Sequence, residues 1–355
     1  MTQKETKRAY RRLVMKAAKS YVKKKIRMVP ENFRMLMTAA KENHYPRWFL
    51  CVDFALSAIL FGDCVQEYLW ASKFRYNLIE KNRSYSRRRE FLMCYLYTKT
   101  ASSEIRFNLD SKERFYRTYA RFLHRETLFA PEHTDAEILE FAQKHGKLIA
   151  KPTDTYGGKG VHLVEADALD PEKMRMLREE KFLLEEVVNQ HPKMASINPS
   201  SVNTVRVTTI LDAEGGFHVE NTYLRAGYPG FLVDNLTSGG VAYPVDPETG
   251  IVVGRGNPTE CWKTYLRHPG TGTVMPGFEI PMWNEILQMC EQAARVQPEL
   301  RRVGWDIAIT PDGPLLIEGN SVTAIVEIDG AQYYKAKRYL HPDKKRKNSA
   351  GKHAL

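Results

Sequence analysis

The 355-residue chain is long enough for two or three domains, and its 43% hydrophobic and 27% charged residues match a globular protein that buries a core. Five scattered cysteines, odd in number and never at CxxC spacing, exclude a disulfide framework and a thiolate zinc site and fit a reducing cytoplasm. The net charge of +11 gathers at residues 1–27, at SRRR (86–89) and between Lys335 and Lys347; it reads as solvated faces or as peripheral contact with an anionic membrane, and without a nucleic-acid motif no nucleic-acid partner is expected.

Along the chain, residues 1 to about 125 read as helical, with apolar residues at three- and four-residue spacing in EYLWASKFRYNLI and REFLMCYLYT. WFLCVDFALSAILFG (48–62) is too short to span a membrane and holds Asp53, so it reads as a buried helix. No apolar core follows the basic N-terminus at signal-peptide spacing, which also points to the cytoplasm. Asp110 or Ser111 caps a predicted helix over 112–128, with aromatic residues at 115, 116, 119 and 122 on its apolar face. From 147 the pattern changes to strands: KLIAKP, the glycine turn TYGGKG, VHLVEA, FLLEEVV (182–188), 203–211, 217–227 and 241–245. A helix is expected over 281–296, and VGWDIAIT (303–310) pairs with GPLLIEGN (313–320) as a hairpin turning at Pro311-Asp312-Gly313. Strands and helices mix without βαβ alternation, so the fold class is α+β. The expected organisation is a mainly helical, basic region at 1–108, a catalytic region at 109–335 and a basic tail at 336–355 that reads as disordered.

Three segments carry chemistry together. In KPTDTYGGKG (151–160) a lysine ends a strand before glycines whose amides can approach a polyanion, although a glycine-rich hairpin tip is the plainer reading of that segment alone. FLLEEVVNQ (182–190) could offer backbone groups and a carboxylate to an adenine edge, or be an amphipathic edge strand. The 303–320 hairpin is the strongest signal. It sets Asp306 beside Glu318 on neighbouring strands, with Asn320 on the same side as Glu318. Three oxygen ligands on one sheet face suit Mg2+, with Mn2+ as an alternative ion, and two unpaired carboxylates there would be costly without one.

Lys112 in DSKERF, Lys151 in IAKPTDTYGGKG, Glu185 in LLEEVV, and Asp306 with Glu318-Gly319-Asn320 fall in the order and spacing of the ATP-grasp superfamily. With DFALSAILFGDCVQEYLWASKF (53–74) and SINPSSVNTVRVTTI (196–210), the chain resembles more narrowly the sugar-transfer-associated ATP-grasp proteins, over roughly residues 43–330. The resemblance implies the ATP-grasp fold, two α+β subdomains clasping ATP under a glycine-rich lid. It implies that Lys112 and Lys151 contact phosphates, that Gly157, Gly158, Lys159 and Gly160 cover them, and that Glu185, Glu186 and Val188 form the adenine hinge. Arg206 would meet the γ-phosphate, and Asp306, Glu318 and Asn320 would hold Mg2+. The stretch 224–245 departs from the peptide and purine ligases; Arg225, Asn235, Ser238, Gly239 and Gly240 are acceptor-site candidates there, whereas His268 reads as an exposed loop residue.

The leading expectation is an ATP-dependent ligase joining a small-molecule carboxylate, sugar- or glycan-linked, to an amine in polysaccharide or related biosynthesis. The alternatives are a kinase acting on a hydroxyl, which the same cradle would serve, and a non-enzymatic nucleotide-binding module docked by its basic arms.

Overall fold

The computed structural model describes residues 30–98, 101–155, 159–236, 239–321, 323 and 332–339. The basic segment 1–27, Gly157, Gly158, Ser238 and the tail beyond 339 lie outside the described residues.

The described residues of the first third are helical, as their spacing predicts: α1 (30–42), α2 (Arg47–Phe61), α3 (Val65–Trp70), α4 (Leu78–Arg83), α5 (Arg87–Thr98) and α6 (Ser103–Asp110). α2 stops where Gly62 takes a left-handed conformation (φ 78°) and returns its N–H to Ala58 O, a backbone state that favours glycine. Asn77 and Glu80 cap α4 reciprocally. Two ion pairs tie the bundle together: Lys81 to Asp53 at 2.5 Å and Lys73 to Asp63 at 2.6 Å. The buried-helix expectation for 48–62 needs correction. The helix forms, but only Leu50 and Ser57 are buried, because the small core of Leu36, Ala39, Leu50, Tyr68 and Leu69 covers one side of it.

The helix expected over 112–128 is also shorter than its pattern suggests. α7 covers Lys112–Thr118, a single 3-10 turn follows at Ala120–Phe122, and a left-handed His124 (φ 44°) turns the chain into β1 (Thr127–Phe129). Leu128 is worth more inside the next sheet's core than on a lengthened helix. The aromatic face is real: Phe115, Tyr116, Tyr119 and Phe122 are all buried. The capping expectation fails, since Ser111 makes no side-chain cap bond and Asp110 instead accepts from Ser321 Oγ at 2.9 Å.

Two antiparallel sheets follow. β1, β2 (Lys147–Pro152), β3 (His162–Glu165) and β4 (Phe182–Glu186) form a four-stranded sheet in the order β1-β4-β2-β3, backed by α8 (Asp135–His145) and α9 (Pro171–Glu179). β4 is therefore internal, not an edge. After α10 (Pro192–Ala195), a six-stranded sheet is built from β5 (Thr204–Leu211), β6 (Phe217–Ala226), β7 (Val241–Pro244), β8 (Asn257–Pro258), β9 (Arg302–Thr310) and β10 (Gly313–Asn320), ordered β10-β9-β5-β6-β7-β8. One face packs Val205, Val207, Leu224, Trp305, Ile307 and Leu316 into the main core, which also takes α11 (Trp283–Ala294). By the two-residue period of strands, the other face receives Thr204, Arg206, Tyr223, Arg225 and Asp306. The described part of the C-terminus ends in α12 (Gln332–Arg338).

The β9–β10 hairpin forms with a feature that the alternation does not reveal. Leu316 pairs with Ile307, yet the next partner of Asp306 is Glu318, so Ile317 is an extra, bulged residue. An unbroken two-residue turn would have put Ile317 opposite Asp306. The bulge carries Glu318 onto the polar face.

Candidate functional site

The polar face of the larger sheet centres on Asp306, which is fully buried. Arg206 stands opposite it on β5 and donates from Nε and, at 2.7 Å, from Nη2. Arg225 on β6 donates from Nη1 at 2.9 Å, and its Nη2 reaches Asp234 at 2.6 Å. Asp234 is fixed in turn by the N–H (2.9 Å) and the hydroxyl of Thr204, while Arg206 Nη1 donates to Thr323 Oγ1 at 2.9 Å. Burial alone would raise the Asp306 carboxyl, but Arg206 and Arg225 outweigh it and hold the group below the usual carboxylate range. Both guanidiniums are raised: burial works against their charge, and Asp306, joined by Asp234 at Arg225, more than offsets it.

Glu318 shows the opposite outcome. Burial, and then the neighbouring Asp306 carboxylate, push it above the usual range. Asn320 Nδ2 lies 3.3 Å from Glu318 Oε1, so the three predicted ligands share one corner of the sheet. Among the described residues no group of three or more His, Cys, Asp and Glu is placed to hold a metal. The donor set here is two carboxylates and an amide, all hard oxygen donors. A half-buried carboxyl raised by its surroundings and by a second carboxylate beside it is the arrangement that a divalent cation relieves, so the residues fit Mg2+.

A second cluster lies on the smaller sheet. Lys151 Nζ is 2.7 Å from Glu185 Oε2 across the β2–β4 pairing. The same carboxylate accepts from Arg125 Nε at 3.2 Å and from the Tyr116 hydroxyl. Arg125 also donates to Leu316 O at 2.6 Å and so ties the small sheet to β10. Burial and then Arg125 lower Lys151 to about 7, while burial and then Glu318 push Glu185 well up. Arg125 itself falls to about 9 through burial. Lys151, Glu185 and Lys112 all feel Glu318, so the two clusters face each other.

Lys112 opens α7 and donates to Pro152 O at 2.6 Å and to Thr155 O, bracing the start of the glycine-rich segment. Burial lowers its ammonium while Glu318 and Glu185 work against that shift. Thr155 Oγ1 donates to Lys159 O at 2.8 Å, and Gly160 (φ 75°) closes the turn where a Cβ would meet Pro152 Cγ at 2.8 Å. Glu186 accepts from Glu126 N at 3.1 Å. Glu186 and Val188 line a cavity of about 530 Å³ that runs to the tip of the β9–β10 hairpin at Thr310–Leu315.

Of the acceptor candidates, Asn235 and Gly240 lie next to Asp234, the partner of Arg225, and Ser238 is outside the described residues. Gly240 N–H bonds Asn235 O at 3.1 Å, Gly239 is left-handed (φ 88°), and a Cβ on Gly240 would lie 2.3 Å from Asp234 O. Only glycine lets this loop fold back and aim Asp234 at Arg225. His268 differs from expectation. It is buried, with Nδ1 3.0 Å from Thr271 Oγ1, because the Pro269–Thr273 turn packs against Ile197 O through Thr271. Sequence reasoning missed Tyr116, Arg125, Thr204 and Asp234; the last stood one residue before the predicted Asn235.

The family profile described as sugar-transfer-associated ATP-grasp matches residues 96–333. No match to a curated protein sequence was found. Among solved structures, the chain is similar to the ATP-grasp ligase PsnB complexed with minimal precursor, Mg and ADP, at 16% identity and TM-score 0.40, over 67% of this chain and 61% of that one. It is similar to the D-cycloserine synthetase DcsG at 12% identity and TM-score 0.40, over 65% and 69% of the two chains. It is also similar to D-alanyl-alanine synthetase A from Vibrio cholerae at 15% identity and TM-score 0.37, over 66% and 60%. The chain thus spans about three-fifths of PsnB and of the Vibrio synthetase. With its profile match covering two-thirds of the sequence, the chain belongs to the sugar-transfer-associated ATP-grasp family.

Proposed function

We propose that the protein is an ATP- and Mg2+-dependent carboxylate–amine ligase. The observation that carries this reading is the facing pair of clusters: Asp306, Glu318 and Asn320 with two arginines on one sheet, Lys151 and Lys112 on the other side. Phosphoryl transfer asks mainly for positioning and neutralisation of charge, and four cations around one cleft supply both. Lys112 and Lys151 take the phosphates, the glycine-rich segment 156–160 covers them, and the backbone of Glu185–Val188 meets the adenine. Arg206 faces the γ-phosphate, and Asp306, Glu318 and Asn320 hold Mg2+, which neutralises phosphate charge when bound.

In the reaction, a carboxylate oxygen attacks the γ-phosphorus and ADP leaves. An amine then attacks the acyl carbon, phosphate departs and the nitrogen loses a proton. Arg225, held by Asp234 and Asp306, offers the anionic carboxylate its Nε, which has no partner among the described residues, and Asn235, Ser238, Gly239 and Gly240 shape the acceptor pocket. The acceptor is a sugar- or glycan-linked carboxylate, in keeping with the description of the family. The enzyme works in the cytoplasm, with its basic first 27 residues directed to anionic membrane.

The test is ADP release by the purified protein with a panel of uronic acids and amines. Release that needs both partners supports ligation. Release with an alcohol alone would make the protein a kinase.

A further inference from the structure

The apolar run at 48–62 takes no part in the site's chemistry, and the fold leaves most of it uncovered. α2 buries Leu50 and Ser57 against its neighbours. On its other side Trp48, Val52, Leu56, Ile59 and Leu60 recur at helical spacing and stand exposed, 70% for Trp48 and 79% for Ile59. Leu78 and Ile79 are exposed as well, at the start of the α4 helix that Lys81 ties to α2 through Asp53. Large apolar side chains massed in this way mark a surface that something covers. The helix is 15 residues long, about 22 Å at 1.5 Å per residue, and none of the described helices is long and apolar enough to cross a membrane.

Charge identifies the occupant. Residues 1–98 hold 21 Lys and Arg against eight Asp and Glu, whereas residues 99–355 hold 32 against 34. Eleven of those 21 cations and one of the eight acids fall in residues 1–29, so the positive excess lies mainly in the sequence that leads into the described helices, and residues 30–98 add the rest. Exposed Arg47 opens α2, and exposed Arg88 sits against its closing Gly62, so cations stand at both ends of the stripe. The acids within reach are engaged: Asp53 by Lys81 and Tyr68, Asp63 by Lys73 and Ser57. A second copy would bring the same basic stretch and the same Arg47 and Arg88, and be repelled. An anionic bilayer would be attracted by every one of these cations.

We infer that α2 lies in the interface of an anionic bilayer, with its apolar stripe at the acyl boundary and the flanking cations among lipid phosphates. This rests on the reading of the basic N-terminus as membrane-directed, and adds to it a folded, apolar element that enters the membrane.

The test is co-sedimentation of the full chain with vesicles of phosphatidylcholine alone and of phosphatidylcholine with phosphatidylglycerol in equal parts. The unchanged protein should bind the anionic vesicles, and Ile59→Ser/Leu60→Ser should weaken that binding by about tenfold or more, with circular dichroism unchanged. A second variant, Lys23→Gln/Lys24→Gln/Lys25→Gln, reports on charge alone. Weakening in both variants supports the inference. Weakening in the lysine variant only would overturn the role of α2 and leave the electrostatic reading standing. No binding by the unchanged chain would overturn both, as would a dimer that the Ile59→Ser/Leu60→Ser variant dissociates and that binds no vesicles.

Discussion

Arg206 and Asp306 face each other across the β5–β9 pairing, and the guanidinium donates two bonds to a carboxylate that water does not reach. A bidentate pair in that position fixes both side chains, and removing one partner strands the other.

Arg206→Ala should therefore destabilise the protein by roughly 3 kcal/mol, the low end of the range for breaking a buried pair, because Arg225 still reaches Asp306. Urea denaturation measures it. Adding Asp306→Asn to Arg206→Ala should recover part of the loss, since the buried charge is gone.

Glu318→Gln should behave in the opposite way. Burial and Asp306 already raise this carboxyl, so the amide should leave stability unchanged or higher. Mg2+-dependent nucleotide binding should fall at least tenfold, read by calorimetric titration with and without Mg2+.

Nucleotide affinity should depend on pH through Lys151. Burial and Arg125, with Lys112 adding to them and Glu318 and Asp234 opposing, put its ammonium at about 7 in the free protein. A bound polyanion raises it, so the complex holds more protons than the free protein above pH 7, and affinity should decline as pH rises through that window. Lys151→Met should bind weakly and flatten the profile between pH 7 and 9.

Gly240→Ala should cost about 1–3 kcal/mol, because its Cβ meets Asp234 O at 2.3 Å. The same displacement releases Asp234 from Arg225. In the proposed ligase it should raise KM for the carboxylate more than it lowers kcat.

Much of the site was legible in the sequence because its residues sit on strands with strong alternation. VGWDIAIT and LLIEGN announce a hairpin, and Asp306 and Glu318 do stand opposite each other. That agreement depends on the bulge at Ile317, which no periodicity encodes. Arg125 and Asp234 were not legible: each is a single charged residue beside a short strand or turn, and its role comes from a partner about 60 or nine residues away. The exposed side of α2 is hidden in the sequence for a related reason. A uniformly apolar helix predicts burial all round, and only the tertiary neighbours decide how much of it is covered.

The most direct test of the facing clusters is thermal unfolding of the unchanged chain, Lys151→Ala and Glu318→Ala, each with and without ATP and Mg2+. A ligand at a hundredfold excess over its Kd stabilises the folded state by about 2.7 kcal/mol, which predicts a rise in Tm of about 5 °C for the unchanged chain and little or none for either variant. An equal rise in all three proteins, or none in the unchanged chain at millimolar nucleotide, would contradict the assignment of this cleft to Mg2+-bound ATP.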